Sequence, residues 1–347
     1  MFSFFKSFFR KSRGLRPGDV ILGQARYELL EELGRGGQGQ VFLAKVLGAA
    51  GFEKTAAVKV MRLAGETCQK RKDVQSFVNE AKLAAMMTHE NIIQIFQLDH
   101  TSQGYFYVLE YVDGITLHDL LEDHRRAGKP LPYPLAVFIT SQIARGLAYA
   151  HNLTDKEGRP LHIVHRDICI RNIMINCEGV PKLMDFGLAK TVRSREEGNF
   201  AVGKWGFMPP EQLVDSAKVD FRGDIYSLGI VFFHLLSGKS PRNSQWTDEE
   251  RFQFIQTNRL DWGLLPPDVP DKYREILHKM LETNPDDRYA NTRDLLTALE
   301  EAIYSDGYGP TIVKLSDYLT TFLPGRFQKR GPAKEEEKLD ATQTAKL

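Results

Sequence analysis

Residues 162–187 read HIVHRDICIRNIMINCEGVPKLMDFG, and the reading of this stretch decides the fold. His165-Arg166-Asp167 is followed five residues later by Asn172, and Asp185-Phe186-Gly187 begins 18 residues after Asp167. Short apolar runs between them read as brief strands over 162–186. Two acids and an amide at this spacing suit magnesium, a hard ion that takes oxygen ligands and keeps waters. The other carboxylate is then left to orient a hydroxyl. Any one of these triplets arises readily by chance; their joint order does not.

Upstream of this stretch the pattern is strand-rich. YELLEELG, QVFLAKV and TAAVKVM over residues 27–61, then NIIQIFQL and YFYVLEYV, read as strands around one helix at 73–87. Gly34, Gly36 and Gly39 fit G-x-G-x-x-G. A dinucleotide site needs a helix to follow the glycines, but here Val41-Phe42-Leu43 continues as strand, so a hairpin lying over phosphates fits better. A merely tight hairpin explains an isolated match equally well. Lys59, in Ala57-Val58-Lys59, is a lysine between apolar strand residues and is costly there unless paired. Glu80, 21 residues later on the helix, is its candidate partner, although either residue alone reads as an ordinary surface charge. Gly238-Lys239-Ser240 imitates the end of a P-loop, but Phe233 stands where its earlier glycine is required.

Downstream the pattern turns helical over 117–126, 134–152, 223–237, 249–257, 270–283 and 293–303. The fold class is therefore α+β: a small β-rich lobe, a larger helical lobe, and a cleft at the junction where ligand sites tend to lie.

Together these motifs resemble a eukaryotic-like protein kinase catalytic domain over about residues 27–303. The resemblance implies a small lobe at 27–112, a helical lobe at 113–303, and ATP and Mg2+ as cofactors. It implies that Gly34, Gly36, Gly39, Val41 and Ala57 surround the nucleotide. Glu110 and Val112 would offer backbone groups to adenine behind Leu109, and Met174 joins the nucleotide-binding set. Lys59 would hold the α- and β-phosphates with Glu80 as its ion-pair partner. Asp167 would be the catalytic base, with Arg166 beside it, and Asn172 and Asp185 the magnesium ligands. Met208-Pro209-Pro210-Glu211 stands where such kinases carry M-A-P-E; Glu211 would then pair with Arg288, and Asp224 would brace the catalytic loop. Small-molecule kinases generally lack these late motifs, so the resemblance implies protein substrates.

Two departures bear on the acceptor. Cys169 occupies the place of the lysine usual in Ser/Thr kinases, and Arg171 matches an arginine frequent in Tyr kinases. Against this, GKWGFMPPEQ resembles the bacterial Ser/Thr pattern G-K-x-x-Y-M-x-P-E-Q, and the insert GAAGFEK also resembles bacterial members. The expectation is a bacterial Ser/Thr kinase that autophosphorylates, with a Tyr or dual-specificity kinase and a non-catalytic pseudokinase as alternatives. Thr191 and Ser194 are candidate phosphosites, either of which Arg166 could pair with once phosphorylated.

Composition agrees with a folded chain. The 347 residues are 42% hydrophobic and 26% charged, with 46 Lys+Arg against 45 Asp+Glu for a net charge of +1. That balance shows no footprint for nucleic acid. Cys68, Cys169 and Cys177 make neither a disulfide framework nor a zinc spacing, which favours a reducing, cytoplasmic setting. The longest apolar run, Ile225 to Gly238, is 14 residues, contains His234 and reads as a buried helix. Residues 1–26 form a basic, aromatic segment; residues 1–16 hold five phenylalanines and five basic side chains in an order unlike a signal peptide. They are expected either to touch an anionic inner-membrane surface weakly or to be a disordered leader or packed on the lobe. Leu315, Tyr318, Leu319 and Phe322 recur at helical spacing in 304–325, which reads as an extra packed helix or a docking site, and 326–347 is polar and expected to be disordered.

Overall fold

The computed structural model describes residues 15–36, 39–61, 68–101, 104–186, 205–214, 219–242, 246–305 and 307–327. Gly187, Thr191, Ser194, the aromatic residues of 1–14 and the tail from 328 lie outside the described residues.

The small lobe is one antiparallel sheet of six strands in the order β1-β2-β3-β4-β6-β5. These are β1 Val20–Leu22, β2 Arg26–Gly36, β3 Gly39–Leu47, β4 Glu53–Met61, β5 Ile95–Thr101 and β6 Gly104–Leu109. Alternation along the strands sends side chains to opposite faces. Tyr27, Leu29, Phe42, Ala44, Ala56, Val58, Phe106 and Val108 form one buried cluster, against which Leu15 and Ala25 pack. The other face meets α1, Cys68–Ala84, where Phe77 packs on Tyr107 at a tilt of 34°, 4.8 Å between ring centroids. The strand expected at 91–98 begins only at Ile95, because the backbone of Asn91 and Ile93 is instead paired with Leu183 of the other lobe. Likewise the expected strand at 105–112 ends at Leu109; residues 110–113 are the link between the lobes. β1 adds a strand ahead of residue 27, paired Ile21 to Tyr27.

The large lobe is built on two buried helices, α3 Tyr133–His151 and α5 Phe221–Ser237. In α5 the apolar run is enclosed as expected, from Ile225 at 0% exposed to Leu236 at 1%. Asp220 caps its start by accepting from the Arg222 N–H, and Gly238 ends it at φ 67°, a left-handed backbone that glycine adopts without strain. Helices α2 Leu117–Ala127, α4 Pro210–Val214, α6 Asp248–Gln256, α7 Asp271–Met280 and α8 Thr292–Tyr304 surround them. A small sheet, β7 Gly114–Thr116, β8 Ile173–Asn176 and β9 Pro181–Leu183, lies under the cleft.

The extension forms α9 Ile312–Phe322 and α10 Pro324–Phe327. Leu315 and Leu319 are fully buried, each worth about 2 kcal/mol of apolar burial. The Ser316 hydroxyl donates to the Cys177 carbonyl at 2.8 Å, and Tyr318 and Phe322 stack on His124 of α2. The helix is thus packed on the lobe.

Candidate active site

The register of β4 brings the first residues together. Ala57 pairs with Leu43 and Leu109, and Lys59 with Val41 and Tyr107. Ala56 and Val58 face the outer cluster, so Lys59 turns to the cleft, where it is 6% exposed. Its Nζ donates to Glu80 Oε1 at 3.2 Å and to Asp185 Oδ1 at 2.7 Å. Burial alone would push Lys59 down; the negative charges of Asp185 and Glu80 outweigh it and hold the ammonium well above the usual lysine range. Tyr107 completes the group, its hydroxyl donating to Glu80 Oε1 at 3.0 Å. Burial keeps that phenol well above its ordinary value.

The catalytic loop lies between α3 and β8, held from below by α5. Asp224, 1% exposed, accepts the backbone N–H of His165 at 2.7 Å and of Arg166 at 2.8 Å. Burial raises a carboxyl, but the bond from His151 Nε2 at 2.9 Å and the nearby histidines lower Asp224 overall. Arg166 has φ 62° and Asp185 φ 52°, two non-glycine residues in the left-handed region. Such backbones persist where neighbours over-determine them, and here the Asp224 carboxylate fixes one. His165 ties the two together: its Nδ1 accepts from the Asp167 N–H at 3.2 Å and its Nε2 donates to the Met184 carbonyl at 2.9 Å. Those two bonds assign a neutral ring with the proton on Nε2. Asn172 Nδ2 donates to Asp167 Oδ2 at 2.9 Å and to the Asp167 carbonyl at 2.8 Å.

The glycines separate by role. A Cβ on Gly39 would sit 2.1 Å from the Val60 carbonyl, so the strand pairing itself requires glycine there. Among the described residues, a Cβ on Gly34 or Gly36 would meet nothing within 4 Å. No described neighbour requires glycine at those two positions, and its lack of a side chain suits the approach of a ligand. Across the cleft, the Glu110 N–H donates to the Gln94 carbonyl at 2.9 Å, and the Glu110 carboxylate meets Lys182 Nζ at 2.8 Å. Among the described residues neither the Glu110 carbonyl nor the Val112 backbone is hydrogen-bonded, while Met174 lies on β8 between Thr116 and Lys182.

Among the described residues no group of three His, Cys, Asp or Glu side chains could hold a metal by itself. That donor set fits magnesium, which is bound through one or two carboxylates and the substrate's own phosphates. Asp185, its side chain 41% exposed, and the amide oxygen of Asn172 are the groups present for it.

Of the later motifs, Glu211 and Arg288 form a two-pronged pair at 2.7 and 2.9 Å, with the Arg288 side chain fully buried. Cys169 is buried beside the loop at 4% exposed, and Arg171 Nη2 donates to His118 Nε2 at 2.8 Å. Sequence reasoning missed Tyr107, His151 and Lys182. Only Tyr107 left a signal, its register opposite Lys59.

The family model for the protein kinase domain matches residues 27–299. The chain belongs to the protein kinase family. Tyrosine-protein kinase MasK of Myxococcus xanthus is 32% identical over 303 residues, 87% of this chain and 46% of that protein. Serine/threonine-protein kinase PrkC of Bacillus subtilis is 30% identical over 283 residues, 81% of this chain and 41% of that kinase. Serine/threonine-protein kinase PknB of Mycolicibacterium smegmatis is 30% identical over 278 residues, 78% and 42% of the two chains. The chain therefore spans less than half the length of these relatives. No described helix of this kinase-family chain is long and apolar enough to cross a membrane.

Proposed function

We propose that this chain transfers the γ-phosphoryl group of ATP, with magnesium, to Ser or Thr hydroxyls of proteins, its own activation segment included. The observation that carries the reading is the pair of contacts made by Lys59 Nζ, to Glu80 and to Asp185, beside a catalytic loop whose Asp167 is held by Asn172. Lys59 is locked by Glu80 where it can meet the phosphates, and Gly34 and Gly36 let the hairpin close over them. Asp167, oriented by Asn172 and the His165 ring, steers the attacking hydroxyl and takes its proton. When bound, magnesium neutralises the developing charge on the phosphate oxygens. Most of the rate then comes from positioning and fixed charge.

Residues 27–303 serve as the catalytic unit and 304–325 as a packed extension; Arg326 and Phe327, expected to begin the disordered tail, instead belong to α10 because Phe327 is buried. The names of two relatives, PrkC and PknB, support the Ser/Thr acceptor. A second reading, transfer to Tyr, draws on Cys169, on Arg171 and on the relative named a tyrosine kinase. Cytoplasmic placement, with weak contact of residues 1–16 to an anionic surface, belongs to the same proposal. Incubation of the purified chain with radiolabelled ATP and magnesium, followed by phosphosite mapping, tests it. Phosphoserine or phosphothreonine is expected; phosphotyrosine alone would move the assignment to the second reading. Absence of magnesium-dependent transfer would leave a non-catalytic module.

A further inference from the structure

Helix α9 lies outside residues 27–299, the span that matches the protein kinase domain. It rests on the turn that joins β8 to β9. That turn is closed by Asn176, whose Oδ1 accepts the N–H groups of Glu178 at 3.1 Å and Val180 at 2.8 Å. Gly179 stands in it at φ 86°. A Cβ there would collide with the Ile312 carbonyl and lie 2.7 Å from the Ser316 nitrogen, so the first turn of α9 sits directly on the glycine. Ser316, 8% exposed, donates its hydroxyl to the Cys177 carbonyl at 2.8 Å.

Cys177 in turn holds the link between the lobes. Its N–H donates at 2.8 Å to the carbonyl of Asp113, the last residue of that link. At the other end the Glu110 N–H is bonded to the Gln94 carbonyl, so the link takes its place from these two anchors. β7 follows it at once and pairs with β8, Gly114 with Asn176 and Thr116 with Met174. The same helix also grips α2, which continues from β7: the Phe322 ring stacks on His124 at 4.1 Å, and the Tyr318 hydroxyl lies 3.4 Å from His124 Nε2. Leu315 and Leu319 join the apolar cluster that holds Ile115, Leu117, Ile173 and Ile175. Helix α9 therefore fixes both strands that border the link. No described hydrogen bond of α9 reaches the catalytic loop or the Glu211–Arg288 pair.

We propose that α9 positions the nucleotide, with Ser316 as the positioning residue. Through Cys177 it holds the end of the link and the β8–β9 turn, so that the Glu110 and Val112 backbone and Met174 are set for the base. This rests on the phosphotransfer reading above.

The test uses the full chain, its Ser316→Ala variant and, as control, Ile276→Val on α7. The control loses a comparable amount of stability from a buried site with no described hydrogen bond to α9 or the turn. MgADP is the nucleotide probe in titration calorimetry and myelin basic protein the acceptor. In Ser316→Ala the Kd for MgADP should rise about fivefold, equivalent to about 1 kcal/mol, while kcat at saturating ATP and KM for the acceptor stay unchanged. Hydrogen exchange at the Cys177 amide should quicken in this variant. In the wild type MgADP should slow that exchange, because coupling between two sites is reciprocal. Ile276→Val should bind MgADP as the wild type does. An unchanged Kd in Ser316→Ala, an equal rise in Ile276→Val, or unaltered exchange at Cys177 would overturn the proposal. If the wild type binds no MgADP, the phosphotransfer reading itself fails; if it binds MgADP and Ser316→Ala binds it equally well, only the positioning role fails.

Discussion

Replacing Lys59 by Met removes an ammonium whose side chain is 8% exposed and leaves Glu80, at 3%, facing an apolar thioether. Glu80 then has the Tyr107 hydroxyl but no cation. Breaking a buried ion pair from one side costs about 3–5 kcal/mol. The alternative is for the carboxylate to take up a proton, which costs an ordinary glutamate about 3.7 kcal/mol at pH 7 and about 1 kcal/mol at pH 5. The smaller cost governs, so Lys59→Met should lose about 3–4 kcal/mol of stability at neutral pH. The sign with pH follows. In the variant the folded chain favours the protonated carboxyl more than the unfolded chain does, so the deficit shrinks as pH falls. Asp185, 41% exposed, adds little because water can replace the lysine there. Urea unfolding of the wild type, Lys59→Met and Lys59→Met/Glu80→Gln at pH 7 and pH 5 measures all of this. The double variant should recover most of the loss, since a neutral amide can keep the Tyr107 bond. A deficit below 1 kcal/mol at pH 7, or one equal at both pH values, would refute the reasoning. Lost transfer by this variant is therefore not a clean sign of a phosphate role unless stability is measured beside it.

Asp185→Asn keeps an oxygen for Lys59 but removes a metal-binding charge from a half-exposed site. Transfer should fall at least about a hundredfold with the melting temperature little changed, read by radiolabel incorporation and calorimetry. Gly39→Ala should cost more than about 2 kcal/mol because its methyl meets the Val60 carbonyl. Gly34→Ala should stay within about 0.5 kcal/mol and instead weaken MgADP binding, as titration calorimetry would show. Burial pushes His234 down to about 4, so the folded chain refuses a proton that an unfolded histidine accepts near 6.5. Its contribution is intact above about pH 6.5 and is lost as pH falls towards 4, by at most about 3 kcal/mol; His234→Leu should flatten the stability profile across that window.

The residues proposed to carry the chemistry were legible as letters because such roles fix residue type. In the proposed roles Lys59, Glu80, Asp167, Asn172 and Asp185 supply charge or oxygen whatever surrounds them, so their types and spacing can be read from the chain alone. Both long-range pairings read from the motifs, Glu211 with Arg288 and Asp224 with the catalytic loop, are present in the fold. Element ends were less legible. Residues 91–94 and 110–112 have strand composition but pair elsewhere or link the lobes, a choice made by their partners and not by their own alternation.

By itself, the sequence determined the two-lobed α+β class and the family and pointed to the residues proposed to carry its chemistry, since periodicity and residue type are local properties of the chain. Tertiary structure alone decided that Lys59 belongs to the core as well as to the cleft, because burial depends on what α1 and β6 bring to it. It also decided that Gly39 serves strand pairing whereas Gly34 and Gly36 meet no described neighbour. Finally, it placed Arg242, an ordinary arginine in a polar stretch, beneath residues 205–208. A guanidinium's partners are set by which backbone carbonyls surround it, and residues some 35 positions apart become neighbours only when α5 is packed.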